Sequence, residues 1–155
     1  MPSRLQVEIK QTKPFARPEQ EALLGVLRTA AIIEHAQHEA LKPYGITGTQ
    51  YNVLRILRGA GPTGLCGREV GERLIARVPD VPRLLERMTD QGLVSRERDP
   101  DDRRHVTARI TDTGLELLDR VDPVLQALER RFGNLPAAEL EALIASLDTI
   151  RLAGG

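Results

Sequence analysis

The sequence predicts a mainly α-helical fold carrying one small β-hairpin, an α+β arrangement. Three observations predict it. Apolar residues recur at three- and four-residue spacing through most of the chain, the period of a helix with one buried face. One short stretch, 93–110, switches to alternation around an Asp-Pro-Asp-Asp turn. Two short helical patterns stand back to back just before that switch.

Met1 to Phe15 come first. Leu5, Val7 and Ile9 suit a strand, while Leu5 with Ile9 also suits one helical turn. Residues 1–17 are expected to form an N-terminal arm packed on a partner subunit, the alternative being a frayed tail. Arg17-Pro18-Glu19 then opens a helix, with proline at its first position and acids in the first turn. Leu24, Leu27, Ala31, His35 and His38 form its stripe, and Lys42-Pro43-Tyr44-Gly45 ends it.

The next helix begins at Thr47, which can cap, with Gln50 placed to reach back and Ile46 to staple onto Tyr51. Val53, Leu54 and Leu57 continue its buried face until Gly59-Ala60-Gly61-Pro62 stops it. The same grammar recurs at Cys66, with Glu69 three residues on and Leu65 and Val70 as the staple. A short helix to Leu74 follows. Val78-Pro79 is expected to open another, in which Val81, Leu84, Leu85 and Met88 share a face and Gly92 supplies the left-handed residue past its end. Two helices in tight succession over 66–91 have helix-turn-helix spacing.

Leu93 to Arg98 and His105 to Ile110 read as two strands joined by Asp99 to Arg103, a hairpin directly behind the second helix. Thr111 caps a further helix carrying Leu115, Leu118, Val121, Leu125, Leu128 and Phe132, with Ile110 and Leu115 as its staple and a bend expected at Pro123. Pro136 opens the last helix, with Leu140, Leu143, Ile144, Leu147 and Ile150.

Composition bounds the function. At 155 residues the chain is one domain's worth, and 41% hydrophobic with 28% charged residues is a globular balance. No run of about 18 apolar residues suits a membrane span and no signal-peptide pattern opens the chain, so the cytoplasm is the expected compartment. A lone cysteine, Cys66, excludes an internal disulfide framework and a four-cysteine zinc site. Cys66 reads as a capping, half-buried thiol. His35 and His38 have the spacing of a ligand pair, but no cysteine or carboxylate is placed to complete it, and they read better as the lining of a groove or pocket. His105 falls in the hairpin as a solvated or phosphate-facing residue. No nucleophile elbow, phosphate-binding glycine loop or metal cluster is present, so no enzyme, cofactor or metal is expected.

Twenty-two Lys and Arg balance twenty-two Asp and Glu. That is no basic bias, yet only Lys10, Lys13 and Lys42 are lysines; the remainder are arginines, whose fork suits phosphates and guanine edges. Asp80, Arg83, Arg87 and Asp90 mark the face opposite the apolar stripe of the second helix, and Arg103 and Arg104 the hairpin tip. A cationic helix face suits the major groove of duplex DNA and an arginine-bearing tip the minor groove. Alone, such charges are as easily a solvated surface. Following one another in this order, they point to DNA.

At this point the chain resembles the MarR family of winged helix-turn-helix transcriptional regulators, over roughly Pro18 to Leu152. The resemblance lies in 45–54 (Gly-Ile-Thr-Gly-Thr-Gln-Tyr-Asn-Val-Leu), in 69–74, in Arg83 to Met88 with Gln91-Gly92-Leu93-Val94, and above all in Arg98-Asp99-Pro100-Asp101-Asp102-Arg103-Arg104 followed by Ile110-Thr111-Asp112-Thr113-Gly114. It implies a homodimer addressing a pseudo-palindromic operator, with a winged-helix lobe at about 46–110 and dimerisation helices at about 18–42 and 111–152 of a single domain, 18–155. It implies that Asp102 orients Arg104 into the minor groove, that Arg77, Asp80 and Arg83 meet base edges and phosphates, and that Arg68 meets a phosphate. Arg87 and Arg103 complete the expected surface. It further implies a repressor, relieved by a small aromatic or amphipathic effector between the dimerisation helices and the winged-helix lobe; the start of the Thr47 helix and the inner stripe of the one before it make Tyr51 and His38 the candidate pocket residues. Two departures stand out: Pro82 cannot donate to a base, and 77–82 replaces a polar, serine-rich opening. The alternative function is a winged-helix module for protein–protein contact, which lacks the steep salt dependence of phosphate binding.

Overall fold

Capping chemistry sets most of the helix starts. A computed structural model describes residues 1–155. Its elements run α1 (Arg4–Glu8), α2 (Pro18–Leu41), α3 (Gly48–Ala60), β1 (Leu65–Cys66), α4 (Gly67–Arg73), α5 (Val81–Asp90), β2 (Val94–Arg98), β3 (Val106–Ile110), α6 (Asp112–Phe132) and α7 (Ala137–Ala153). Thr47 accepts the Gln50 N–H at 3.1 Å while the Gln50 side chain accepts the Thr47 N–H at 3.1 Å, a reciprocal box. The Cys66 N–H donates to Glu69 at 3.2 Å, and Cys66 holds that carboxyl below the usual carboxylate range. Thr111 accepts the Gly114 N–H at 3.1 Å.

The hydrophobic core is one cluster, and every member lies between Leu41 and Leu125. It draws on α3, β1, α4, α5, β2, β3 and the first two-thirds of α6, as far as Leu125. Nothing from α2 before Leu41 joins it, and not one residue of α7 is buried. The stripe expected on α2 follows suit: none of Leu24, Leu27, Ala31, His35 and His38 is buried. On α6 the buried side chains are Leu117, Leu118, Val121 and Leu125, while Leu115 is 37% exposed. The expected stripe is therefore corrected by two residues at its start: Gly114, tucked beneath the hairpin, turns Leu115 outward. The helix runs unbroken through Pro123.

Three antiparallel strands lie in the order β1-β3-β2. β2 and β3 pair from Val94↔Ile110 to Arg98↔Val106, the expected hairpin. β1 adds Leu65↔Ala108 and Cys66↔Thr107, a third strand absent from the sequence reading. Two residues are too few to carry a period. The N-terminal arm is helical rather than extended, because Ser3 and Gln6 form a capping box at 3.1 and 3.3 Å and the Gln6 amide donates to the Lys13 carbonyl. Leu5 faces Gly25 of α2, and Val7 and Ile9 point outward.

A Thr-x-x-Gly sequence joins the hairpin to α6 for a steric reason. The Thr111 N–H donates to the Leu93 carbonyl at 3.1 Å and the Thr111 hydroxyl to the Gly92 carbonyl at 2.6 Å. This brings the Leu93 carbonyl within 2.5 Å of where a Cβ on residue 114 would stand. Only glycine fits. Gly114→Ala is expected to lower stability by about 2 kcal/mol despite alanine's better helix propensity, because backbone must move to admit the methyl; urea denaturation checks this, and an unchanged or raised midpoint would contradict it.

Candidate nucleic-acid interface and ligand cleft

Two glycines bring α5 close to α4. A Cβ at Gly71 would lie 3.2 Å from Val81, and one at Gly67 would meet Val81 and Leu85 at 3.9 and 3.8 Å. Gly67 and Gly71 are one turn apart, so they open a single smooth strip along α4. Against it α5 buries Leu85 and Met88, leaving the charged side with Arg83, Glu86 and Arg87 exposed.

The start of α5 corrects the sequence reading. The helix begins at Val81, not at Val78 or Pro79, and Asp80 is its N-cap, accepting the Arg83 N–H at 3.0 Å. With the earlier start Pro82 would fall at the fourth or fifth helical position, where an N–H is needed; with Asp80 as cap it falls at the second, where none is. Asp80 thus stands at the helix end with its carboxylate engaged, and Arg77 lies exposed in the preceding connection. At the other end Gly92 takes φ +76°, its N–H reaching Thr89 and that of Leu93 reaching Met88 at 2.9 and 3.0 Å. This is a Schellman closure. Arg68 sits on the first turn of α4 with its side chain largely in solvent, its nearest carboxylate being Glu72 at 4.0 Å.

The acids of the hairpin tip are structural. Asp99 accepts the Asp101 N–H at 2.8 Å and shapes the turn. Asp102 accepts both the backbone N–H of Arg104 at 3.1 Å and its Nε at 3.5 Å. The Arg104 side chain is 95% exposed, so it is aimed by Asp102 without being consumed by it. Arg103 is exposed beside it, and its carbonyl accepts from Arg98. Arg109 donates to the Pro62 carbonyl at 2.7 Å and to Glu97 at 3.1 Å, fixing the wing to the turn after α3.

His38 and Tyr51 line one cavity of about 590 Å³ between α2 and α3, together with Ile33, Asn52, Arg55 and Ile75. A second, of about 330 Å³, shares Ile33, Gln37, Tyr51 and Arg55 and continues to Leu128 and Phe132. Tyr51 lines both cavities. Its hydroxyl donates to Asp122 of α6 at 3.1 Å, and Arg58 holds the other oxygen of that carboxylate at 2.6 Å. Burial, then the Asp122 hydrogen bond and charge, raise the Tyr51 pKa above its ordinary value, with Arg55 and Arg58 opposing. His35 lies exposed, and no group of three metal-ligating side chains forms anywhere in the chain.

Asn52, Arg55, Asp122 and the bracing arginines Arg98 and Arg109 escaped the sequence reading. Polar residues within helix and strand patterns look like solvated positions until their partners, up to 71 residues away, are known.

The model of the MarR family matches residues 44–105. A curated relative, the HTH-type transcriptional regulator YkoM of Bacillus subtilis, is 31% identical over 86% of this chain and 88% of its own. The MarR transcription factor of Planctomyces limnophilus is 38% identical over 87% of this chain and 98% of its own, with a TM-score of 0.67. The chain belongs to the MarR family of transcriptional regulators. A mutant form of E. coli MarR, solved in complex with operator DNA, is 25% identical over 96% of this chain and 99% of its own, with a TM-score of 0.72. No helix of this MarR-family chain is long and apolar enough to cross a membrane.

The Tyr51 environment has a testable consequence. The raised pKa means that the unfolded chain loses this proton first, so stability present below about pH 10 is lost as pH rises beyond it. Tyr51→Phe is expected to make that alkaline decline shallower; identical slopes for the two proteins in denaturant titrations from about pH 8 to pH 11 would contradict it.

Proposed function

We propose that this MarR-family protein is a dimeric, sequence-specific DNA-binding repressor whose operator affinity is lowered by a small molecule in the α2–α3 cleft. The observation that carries it is the pairing of an arginine-bearing α5 with an exposed, aspartate-aimed Arg104 on the wing behind it. In this reading α5 enters the major groove, Arg83 reads a base edge, Arg77 and Arg87 accompany it, and Arg68 and Arg103 meet phosphates. Asp80 acts as the cap that presents Arg83, and Arg104 occupies the minor groove. The protein works in the cytoplasm, without catalysis.

The dimer follows from surface. A protein of 17.2 kDa is expected to expose about 7,800 Å²; this chain exposes 11285 Å². The excess is the size of an obligate interface. Large apolar side chains stand exposed at Leu23, Leu27 and Ile32 of α2 and Leu143, Ile144, Ile150 and Leu152 of α7. A second copy covers these faces, with Val7 and Ile9 of the arm at the margin. Such a dimer places two copies of α5 about one helical turn of DNA apart. The winged-helix lobe spans about 46–110, and the helices on either side form the dimerisation lobe.

Selection from random duplexes identifies the operator, and titration against the selected site tests the roles. Arg104→Ala is expected to weaken binding to every sequence and to reduce the slope of log affinity against log salt by about one. Arg83→Ala is expected to cost roughly 1–3 kcal/mol and to change the preferred base at one position of each half-site. Sedimentation should give a dimer for both variants. Failure to bind any duplex at low salt would overturn the proposal.

A further inference from the structure

The segment between α4 and α5 carries the recognition helix, yet it is barely held. Residues 75–79 make a single hydrogen bond to the rest of the protein, from the Ile75 N–H to the Asn52 side-chain oxygen at 2.8 Å. Asn52 belongs to α3, 23 residues earlier. Both ends of this bond face the cleft: Asn52, Ile75 and Ala76 line the cavity of about 590 Å³ with Ile33 and His38. Ile75 is 92% exposed, and it is the one large apolar side chain left uncovered between residues 34 and 114. An apolar side chain standing free at the mouth of a cavity gains by closing over an apolar occupant. Downstream, Pro79 fixes its own φ and restricts Val78, so two of the four residues between Ile75 and the Asp80 cap have narrowed backbone freedom.

We infer that Asn52 is the positioning residue through which occupancy of the α2–α3 cleft reaches the recognition helix, by way of its hydrogen bond to the Ile75 backbone. This rests on the effector reading above and deepens it. With the cleft empty, the bond holds the α4–α5 connection against α3 and sets the start of α5. An occupant with an apolar body and a polar group engages Ile75 and competes for the Asn52 amide. The bond opens, and α5 loses the tether on its N-terminal side while its Schellman closure stays intact. The occupant favours the untethered state only by what it gains from Ile75 and Asn52 there, the condition for any shift of population.

A tethered occupant tests this without knowledge of the natural ligand. In the full-length Cys66→Ser, Ile75→Cys protein, a benzyl group bearing a hydroxyl, which can hydrogen-bond the Asn52 amide, is attached at residue 75 through a disulfide and released by reductant. Backbone amide exchange over 75–80 and affinity for the selected duplex are measured with and without the group, each with Asn52 intact and with Asn52→Ala or Asn52→Asp. The expected result has three parts. Asn52→Ala speeds exchange over 75–80 and weakens DNA binding roughly five-fold, the size of one net hydrogen bond. Asn52→Asp, which keeps an acceptor oxygen, restores both. The benzyl group speeds exchange and weakens binding with Asn52 present, and adds nothing in the Asn52→Ala protein. Exchange that ignores the benzyl group, or an equal benzyl effect with and without Asn52, overturns the inference. Accelerated exchange in a protein that binds no duplex upholds the link and sinks the DNA reading instead.

Discussion

The aim of one ten-residue helix is the constraint on which the rest of this structure depends. A recognition helix makes few contacts of its own and must be held by what lies behind it. Here α5 is held on three sides. Gly67 and Gly71 let its apolar face sink against α4. Gly92 and Leu93 close its C-terminus and are gripped in turn by Thr111, the cap of α6. Asn52 fixes the connection before its N-terminus. Gln50 adds a link from the α3 start to Gln91, just past the end of α5, at 3.1 Å. Every tether leads away from the face that carries Arg83 and Arg87, so the charged side is left free for a partner.

The protein divides its stability unevenly, and the division serves the function. The winged-helix lobe has a true core and folds its own apolar surface inward. The long helices α2 and α7 bury almost nothing within the chain. A helix hydrophobic on faces its own domain does not cover needs another surface, and a second copy supplies one. The network of Tyr51, Asp122 and Arg58 then joins α3 to α6, so that the lobes of the molecule are coupled by a charge-assisted contact beside the cleft rather than by a flexible linker. The cleft is lined from both sides of that junction, by Tyr51 and Arg55 of α3 and by Leu125 and Leu128 of α6.

Much of this was legible in the sequence because it is written in local chemistry. Thr47 with Gln50, Thr111 with Gly114, and Gly92 after Met88 each declare a helix end within four residues. The period change at 93–110 declares the hairpin, and the charges of 98–104 declare its tip. Errors arose where a local signal competed with a better one nearby. Val78-Pro79 looks like a helix start until Asp80, a stronger cap, is set against the cost of Pro82 further in. Leu5, Val7 and Ile9 left a strand and a helical turn both open, and the Ser3–Gln6 box decides for the turn because no neighbouring strand rewards the alternation. What could not be read was non-local: the pairing of β1 with β3, the close approach at Gly67 and Gly71, and the partners of Asn52 and Asp122. His38 and Tyr51 stood out only as the inner stripe of one helix and the start of the next; they line the same cavity from its α2 and α3 sides.

Hydroxyl-radical footprinting of the selected duplex is the most direct test of how the paired subunits sit on DNA. Two copies of α5 flanked by two wings should protect both strands in a two-fold symmetric pattern. Its two central windows should lie about one helical turn apart, with an outer minor-groove window beyond each that disappears in Arg104→Ala. A single window, or outer windows untouched by loss of the Arg104 guanidinium, would contradict the account.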